Sequence, residues 1–219
     1  MSKIDIAVVD YGMGNLRSVS QALEHVAPSK VVVVTSNPED VASAERVVFP
    51  GQGAMPDCIR ELDTRGLREA VLQAAQNKPF LGICIGLQML FEHSEEGDAK
   101  GLGLFKGEVK RFAAKDMIDS HGEKLKVPHM GWNQVYQATS GQSQLHALWQ
   151  GIESGERFYY VHSYYVKPAD EGITSGYSEY PYRFTSAIAA DNLFAVQFHP
   201  EKSANAGLQL LSNFVSWAP

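Results

Sequence analysis

The sequence has few cysteines, no long apolar run and no basic cluster, and each absence excludes a class of protein. The 219 residues include only two cysteines, Cys58 and Cys84, which are too few for a disulfide framework and favour a reducing compartment. No stretch approaches the roughly 18 consecutive apolar residues of a membrane helix. Residues 1–5 do not begin a signal peptide. We therefore expect a cytoplasmic protein without membrane contact.

The charge of the chain is modest and mixed in sign. There are 25 acidic and 19 basic residues, which gives a formal net charge of -6, and the Lys and Arg residues form no run. Nucleic acid is not an expected partner, because it is bound by clustered basic side chains. With 44% hydrophobic residues and no break in composition, residues 1–219 are expected to form a single domain.

The order of the apolar runs predicts the fold class. Short runs at residues 4–9, 31–34, 47–49 and 80–83 alternate with helical stretches at 15–26, 56–76 (with a break near Gly66) and 86–93. This alternation is typical of parallel strands connected by helices. After Gly101, strands are predicted at 109–112, 125–127, 133–137, 157–166, 173–180, 184–190 and 193–198, before a last helix at 203–217. We expect an α/β fold whose mixed sheet is parallel first and antiparallel later.

Cys84 lies where a predicted strand ends and a predicted helix begins, with Gly82 and Gly86 on either side. This is the layout of a nucleophile elbow, with Cys in the place of Ser. The positive end of the helix dipole would favour a thiolate there. A buried structural cysteine is the commoner fate of such a residue, and we expect that role for Cys58, which lies within a predicted helix.

His199 is the best candidate for a partner of Cys84. It follows the apolar run 193–198 and precedes Pro200 and Glu201, so its imidazole is expected at the carboxyl edge of the sheet, where α/β proteins bind ligands. Glu201 could accept a hydrogen bond from the other ring nitrogen. The alternative is a surface histidine beside a solvated glutamate. The chain order of nucleophile, base and acid disfavours α/β-hydrolase chemistry, in which the acid precedes the histidine.

Three segments resemble one family. Residues 82–88 (GICIGLQ) and 196–201 (VQFHPE) resemble the two signatures of the class I glutamine amidotransferases, and residues 50–53 (PGQG) resemble the loop that forms the oxyanion hole of that family. The resemblance implies a flavodoxin-like, mostly parallel sheet with helices on both faces, and hydrolysis of glutamine without a cofactor. It assigns Cys84 as nucleophile, His199 as base and Glu201 as orienter. The residues that it assigns to the oxyanion hole through backbone N–H groups are Gln52, Gly53 and Ile85, and those that it assigns to glutamine binding are Gly53, Gln88, Glu96, Ser163 and Tyr164.

Four further segments are similar to one branch of this family, the glutaminase subunits of imidazole glycerol phosphate synthase. These are residues 10–16 (DYGMGNL), 128–133 (PHMGWN), 158–164 (FYYVHSY) and 201–203 (EKS). The similarity implies that ammonia passes to a barrel-shaped cyclase, which makes imidazole glycerol phosphate and an aminoimidazole carboxamide ribotide in histidine biosynthesis. Because 219 residues leave no room for the barrel, we expect a separate partner and a heterodimer. The interface is expected at Asn15, Trp132, Asn133 and Lys202.

Other functions remain as alternatives. Glutaminases of the pyridoxal phosphate synthase or anthranilate synthase type lack the segments at 10–16 and 128–133. Cysteine peptidases and deglycases of related fold place His directly after the nucleophile, where Ile85 stands, and a binding module that has lost catalysis would not need the triad. Metal is not expected, because the histidines do not show ligand spacing; those considered are His121, His129 and His162.

Overall fold

The computed structural model describes residues 3–118, 122–139, 141 and 143–219. Within them the chain forms a mixed sheet with helices on both faces. The strands, in chain order, are β1 (Ile6–Val9), β2 (Val32–Thr35), β3 (Arg46–Phe49), β4 (Phe80–Ile83), β5 (Phe91–Ser94), β6 (Ala99–Lys100), β7 (Phe105–Arg111), β8 (His129–Gln137), β9 (Glu156–His162), β10 (Tyr164–Pro168), β11 (Thr174–Glu179), β12 (Arg183–Ala190) and β13 (Leu193–Val196).

Six α-helices and several short 3-10 turns connect the strands of the described chain. The helices are α1 (Leu16–Val26), α2 (Pro38–Ser43), α3 (Met55–Thr64), α4 (Arg68–Asn77), α5 (Ile85–Gln88) and α6 (Ala204–Ser216). Asn15 caps α1 by accepting from the backbone N–H of Ser18 at 3.4 Å, and Asn37 caps α2 in the same way through Glu39 at 3.0 Å. Side-chain oxygens of this kind satisfy N–H groups that have no partner inside the helix.

The sheet is parallel in its first part and mainly antiparallel in its second, where β5 and β7 nevertheless pair in parallel. Its strand order is β2-β1-β3-β4-β13-β12-β10-β7-β5-β6, with β11, β8 and β9 on a branch from β12. The pairs from β2 to β13 are parallel, whereas β13–β12, β12–β10 and β10–β7 are antiparallel. The predicted fold class is therefore confirmed, and β4 and β13 are direct neighbours whose carboxyl ends meet at one edge.

The two larger hydrophobic cores of the described residues lie on the two faces of this sheet. Alternate strand residues point to opposite faces, so Val48 packs in one core and Val47 in the other. The first core includes Leu23 of α1 and Leu210 of α6, and the second includes Leu62 of α3. The helices thus bury the sheet from both sides and leave the carboxyl edge of β4 and β13 open to a cleft.

Several predicted elements differ from the structure. The helix predicted at residues 86–93 is wrong beyond Gln88, because the next segment turns into strand β5. The backbone carbonyls that would continue the helix bond to a later loop instead. The carbonyl of Met89 accepts from the backbone N–H of Leu102 at 2.7 Å, and that of Leu90 accepts from the backbone N–H of Leu104 at 2.9 Å. The strand predicted at 125–127 is absent, apart from one bridge between Lys124 and Ile118.

Two further differences come from local signals. The segment at 157–166 is broken at Ser163 into β9 and β10. Helix α2 was not predicted, since Asn37 and Pro38 suit a turn as well as a helix start. In both cases the local pattern allowed more than one backbone conformation. Contacts with other parts of the chain select one of these conformations, and the sequence alone does not show which.

The close approach of α5 to β3 generates a prediction. A Cβ on Gly86 would overlap the backbone carbonyl oxygen of Phe49. Because backbone cannot move aside as a side chain can, Gly86→Ala is expected to lower the free energy of unfolding by about 3 kcal/mol. Urea denaturation measures the loss.

Gly66→Ala is the matched control. Gly66 has φ +67°, and nothing lies within 4 Å of a Cβ at that position, so the substitution adds backbone strain without a clash. It should cost about 1 kcal/mol. Equal losses for the two variants would contradict the role given to close packing beneath the elbow.

Candidate active site

Cys84 occupies a strained turn between β4 and α5. Its φ is 57° and its ψ is -110°, a conformation that residues other than glycine rarely adopt. The backbone N–H of Cys84 donates to the carbonyl of Val196 at 2.8 Å, which ties the turn to β13. Gly82 permits this approach, since a Cβ there would come within 2.9 Å of the Cβ of Ala195. The side chain is held at the carboxyl edge and is 7% exposed.

His199 and Glu201 form a buried pair just beyond the end of β13. The Nδ1 atom of His199 lies 2.8 Å from Oε1 of Glu201, and the two side chains are 2% and 1% exposed. The backbone N–H of His199 donates to the carbonyl of Tyr159 at 2.9 Å, and Oγ of Ser203 donates to the His199 carbonyl at 2.6 Å. These contacts fix the loop, so the alternative of a surface histidine beside a solvated glutamate does not describe this pair.

The charge state of His199 follows from competing effects. Burial lowers its pKa, but the negative charge of Cys84 and the carboxylate of Glu201 outweigh burial and raise the pKa to about 10. Nε2 of His199 has no hydrogen-bond partner among the described residues. The arrangement favours a charged imidazole at His199.

A cleft of about 420 Å³ opens above Cys84. Every residue predicted to bind glutamine or to form the oxyanion hole lines it, together with Cys84 itself. The predicted residues in its wall are Gln52, Gly53, Ile85, Gln88, Glu96, Ser163 and Tyr164. The structure thus brings together residues that lie far apart in the sequence.

Glu96 and Glu95 have different environments. Glu95 accepts from the backbone N–H of Arg111 at 2.8 Å and pairs with Lys110 at 3.2 Å; the first of these contacts is the main reason that its pKa is lowered. Glu96 instead lines the cleft, where its Oε2 accepts from the backbone N–H of Met55 at 2.8 Å. Glu95 and Glu96 are therefore not simply a solvated pair of acidic residues.

The loop at residues 50–53 packs tightly on its inner side. The thiol of Cys58 donates to the carbonyl of Gln52 at 3.7 Å, and burial raises the pKa of that thiol to about 12, so Cys58 stays neutral. A Cβ on Gly51 would overlap the hydroxyl of Tyr11. Gly53 has φ 121°, which favours glycine.

The predicted interface residues lie near this cleft but in different settings. Lys202 lines the cleft, and Asn15 lines a small void of about 10 Å³ behind His199 and Glu201. Trp132 on β8 is 50% exposed, whereas Asn133 is half-buried and donates to the carbonyl of Glu179 at 3.0 Å. Met130, which we did not predict, is 62% exposed on the same strand.

One buried polar residue beside Cys84, Gln197, was also not predicted from the sequence. Gln197 is fully buried, and its Nε2 lies 3.8 Å from Sγ of Cys84. Its signal was present, since it is the polar residue within the apolar run 193–198. Among the histidines considered for metal binding, His129 and His162 contact each other, and His121 lies outside the described residues. No metal-ligating cluster occurs within the ranges that are described.

Comparison with known proteins shows the family to which the chain belongs. Residues 7–217 match the model of the family described as glutamine amidotransferase class-I, and the chain belongs to that family. It is 67% identical over 98% of its length to the "Imidazole glycerol phosphate synthase subunit HisH" of Nitrosospira multiformis, covering 99% of that protein. The protein of the same name from Thiobacillus denitrificans is 64% identical, with 99% of this chain and 92% of that one aligned.

A solved structure agrees with the fold. The glutamine amidotransferase of Thermotoga maritima superposes with a TM-score of 0.57 and 16% identity, over 94% of this chain and 80% of that one. At this identity the likeness concerns the fold alone. In the part of the chain that the structure describes, no helix is both long and apolar enough to cross a membrane.

Replacing Glu201 with Gln tests the electrostatics of the pair. Because the pKa of His199 is raised from 6.5 to about 10, the charged imidazole stabilises the folded chain fully below pH 6.5, and this contribution is lost as the pH rises through about 10. In Glu201→Gln the midpoint of the His199 titration, followed by NMR of labelled histidine, should fall. The stability advantage of the wild-type chain should shrink across the same pH window.

Glu24→Gln, which removes an exposed carboxylate on α1, is the control and should leave the midpoint of His199 unchanged. A titration of His199 in Glu201→Gln that coincides with that of the wild-type chain would show that Glu201 does not hold the charge of the imidazole.

Proposed function

We propose that the chain hydrolyses glutamine to glutamate and ammonia, with Cys84 as nucleophile, His199 as base and Glu201 as the residue that orients the base. The observation that carries this proposal is the buried His199–Glu201 pair next to a cysteine on a strained turn in the cleft. This combination suits acyl transfer through a thioester. Membership of the amidotransferase family supports the same reaction.

The proposed reaction has two steps. The Cys84 thiolate attacks the side-chain amide carbon of glutamine, the C–N bond breaks, and the imidazolium of His199 gives its proton to the departing ammonia. The neutral imidazole then takes a proton from water, whose oxygen attacks the thioester. Glutamate leaves, its carboxyl proton passes to solvent, and the thiolate and imidazolium are restored. Glu201 stabilises the charged imidazole through its contact with Nδ1.

Backbone N–H groups are proposed to stabilise the oxyanion of the tetrahedral intermediate. The N–H of Ile85 begins α5 and has no partner within the helix, and those of Gln52 and Gly53 belong to the loop across the cleft. Loss of one such donor typically costs on the order of 100- to 1000-fold in rate. The glycines on both sides of Gln52 allow the loop to change its peptide orientation at low steric cost.

The remaining residues of the cleft are proposed to bind the amino-acid end of glutamine. Glu96 suits the α-ammonium group, because its carboxylate lines the cleft while that of Glu95 is paired elsewhere. Gln88, Ser163 and Tyr164 would supply the uncharged contacts, and Gly53 leaves space for the substrate. We propose no cofactor or metal for this reaction, and residues 1–219 as one amidotransferase domain.

We further propose that the ammonia passes to a separate, barrel-shaped cyclase in a heterodimer. The cyclase would make imidazole glycerol phosphate and an aminoimidazole carboxamide ribotide in histidine biosynthesis. Support comes from 67% identity to a protein named as a subunit of imidazole glycerol phosphate synthase. The exposed Met130 and Trp132 provide an apolar surface on the strand that leads to the cleft. With Asn15, Asn133 and Lys202, Trp132 is proposed to form the interface.

Ammonia release from glutamine tests this function. The isolated chain is expected to turn over slowly, and addition of the cyclase and its ribonucleotide ligand should raise the rate, because the loop at 50–53 would then present its N–H groups. Cys84→Ala should abolish release under both conditions.

Cys58→Ser is the matched control, because a hydroxyl can still donate to the carbonyl of Gln52; it should keep most of the stimulated rate. Full turnover by the isolated chain would contradict activation by the partner. Ammonia release that survives in Cys84→Ala would exclude the proposed nucleophile.

A further inference from the structure

Gln197 is an uncharged polar side chain with no exposure to solvent, two residues before His199 in the chain and beside Cys84 in the fold. Its Oε1 accepts from Nε2 of Gln88 at 2.9 Å, and its Nε2 lies 3.8 Å from Sγ of Cys84. Burial of an amide is costly unless both of its ends are paired. Both ends of the Gln197 amide therefore have a partner. The orientation of the amide decides whether its NH₂ group or its oxygen faces the sulfur of Cys84.

The carbonyl of Tyr164 fixes that orientation. A backbone carbonyl can only accept, and this one receives Nδ1 of His162 at 2.7 Å and Nε2 of Gln88 at 3.0 Å. The end of Gln88 that faces it must therefore be the NH₂ group, whose second hydrogen reaches Oε1 of Gln197. The other end of the Gln197 amide is then an NH₂ group, which points towards Cys84.

The same carbonyl fixes the tautomers of two buried histidines. Because His162 donates through Nδ1, its Nε2 is the acceptor for Nδ1 of His129 at 2.9 Å. Burial lowers the pKa of His162 to about 3 and that of His129 to about 4, so both rings are neutral. Nε2 of His129 is then free to accept from Nδ2 of Asn133 at 3.4 Å.

The contacts from Asn133 to Cys84 thus form one chain of hydrogen bonds whose donors and acceptors are all determined. It contains Asn133, His129, His162, the Tyr164 carbonyl, Gln88, Gln197 and Cys84. No member can turn its donor and acceptor around without leaving a buried polar atom unpaired, which is costly in a protein interior. The chain runs from strand β8 to the sulfur of Cys84.

We propose that Gln197 is a positioning residue for Cys84, the last link of this chain, and that its amide N–H holds the sulfur in place and favours its thiolate form. This role rests on the proposed function of Cys84 as nucleophile. A hydrogen-bond donor stabilises a thiolate more than a thiol, because the interaction is stronger with a charged acceptor. The chain upstream keeps that donor aimed at the sulfur.

Alkylation of Cys84 by iodoacetamide, measured by peptide mass as a function of pH, tests the proposal without glutamine. Gln197→Met removes the donor at similar volume and should slow alkylation at pH 7 by about 10-fold, the effect of one hydrogen bond to a charged group. Gln197→Glu keeps an acceptor for Gln88 but places a carboxyl beside the sulfur. It should slow alkylation further and move its midpoint to higher pH.

Gln21→Met, at an exposed position of α1, is the control and should alkylate as the wild-type chain does. Folded Gln197 variants that match the wild-type rate and midpoint would overturn the proposal. Ammonia release from glutamine, measured separately on the wild-type chain with its cyclase, tests the proposed function, so failure of one is distinct from failure of the other.

If the Gln197 variants do not fold, Gln88→Met decides. It removes the donor that fixes Oε1 of Gln197, so the amide of Gln197 can turn its oxygen towards the sulfur. Alkylation should then be about 5-fold slower than in Gln21→Met. A folded Gln88→Met variant that alkylates at the rate of Gln21→Met would show that the orientation of Gln197 does not affect Cys84.

Discussion

The tight contact of the backbone around Cys84 is the constraint on which the rest of the site depends. Strand β4 lies between β3 and β13, and the turn after it must pass close to both. Gly86 rests against the carbonyl of Phe49, and Gly82 faces Ala195. Only because these positions lack a Cβ can Cys84 adopt φ 57° and remain bonded to Val196. The strain of the turn is balanced by the packing beneath it.

The parallel register of β4 and β13 then determines what surrounds the sulfur. Ile83 pairs with Val196, so the residues that follow each strand emerge side by side at the same edge. Cys84 follows one strand, and Gln197 and His199 follow the other. A single strand pairing thus brings Cys84, Gln197 and His199 together, and Glu201 follows two residues after His199.

Burial and the neighbouring charges determine which histidines of this site are charged. His199 and Glu201 are nearly inaccessible to water, so the charge of each is felt strongly by the other and by Cys84. His129 and His162 differ from His199, because no charged partner among the described residues compensates their burial, and both rings stay neutral. Charged and neutral imidazoles therefore lie within one site, and environment rather than residue type separates their roles.

Much of this site could be predicted from the sequence because its residues lie in local patterns. Cys84 between glycines and His199 after an apolar run are signals within a few residues, and the resemblance to the amidotransferases extended them to the cleft. Gln197 was missed because its meaning depends on Gln88 and Tyr164, which are distant in the chain. The helix expected after Gln88 failed for a related reason, since the loop that carries Leu102 and Leu104 takes its carbonyls. The roles of the individual site residues stay predictions.

We propose that Cys84 carries the reaction through a covalent intermediate. Rapid acid quenching of the chain during turnover of glutamine with the proposed cyclase, followed by peptide mass analysis, would trap this intermediate. We expect a glutamyl thioester on the peptide that contains Cys84, and none on the peptide that contains Cys58. Steady release of ammonia without any adduct on Cys84, or with an adduct on another residue, would contradict it.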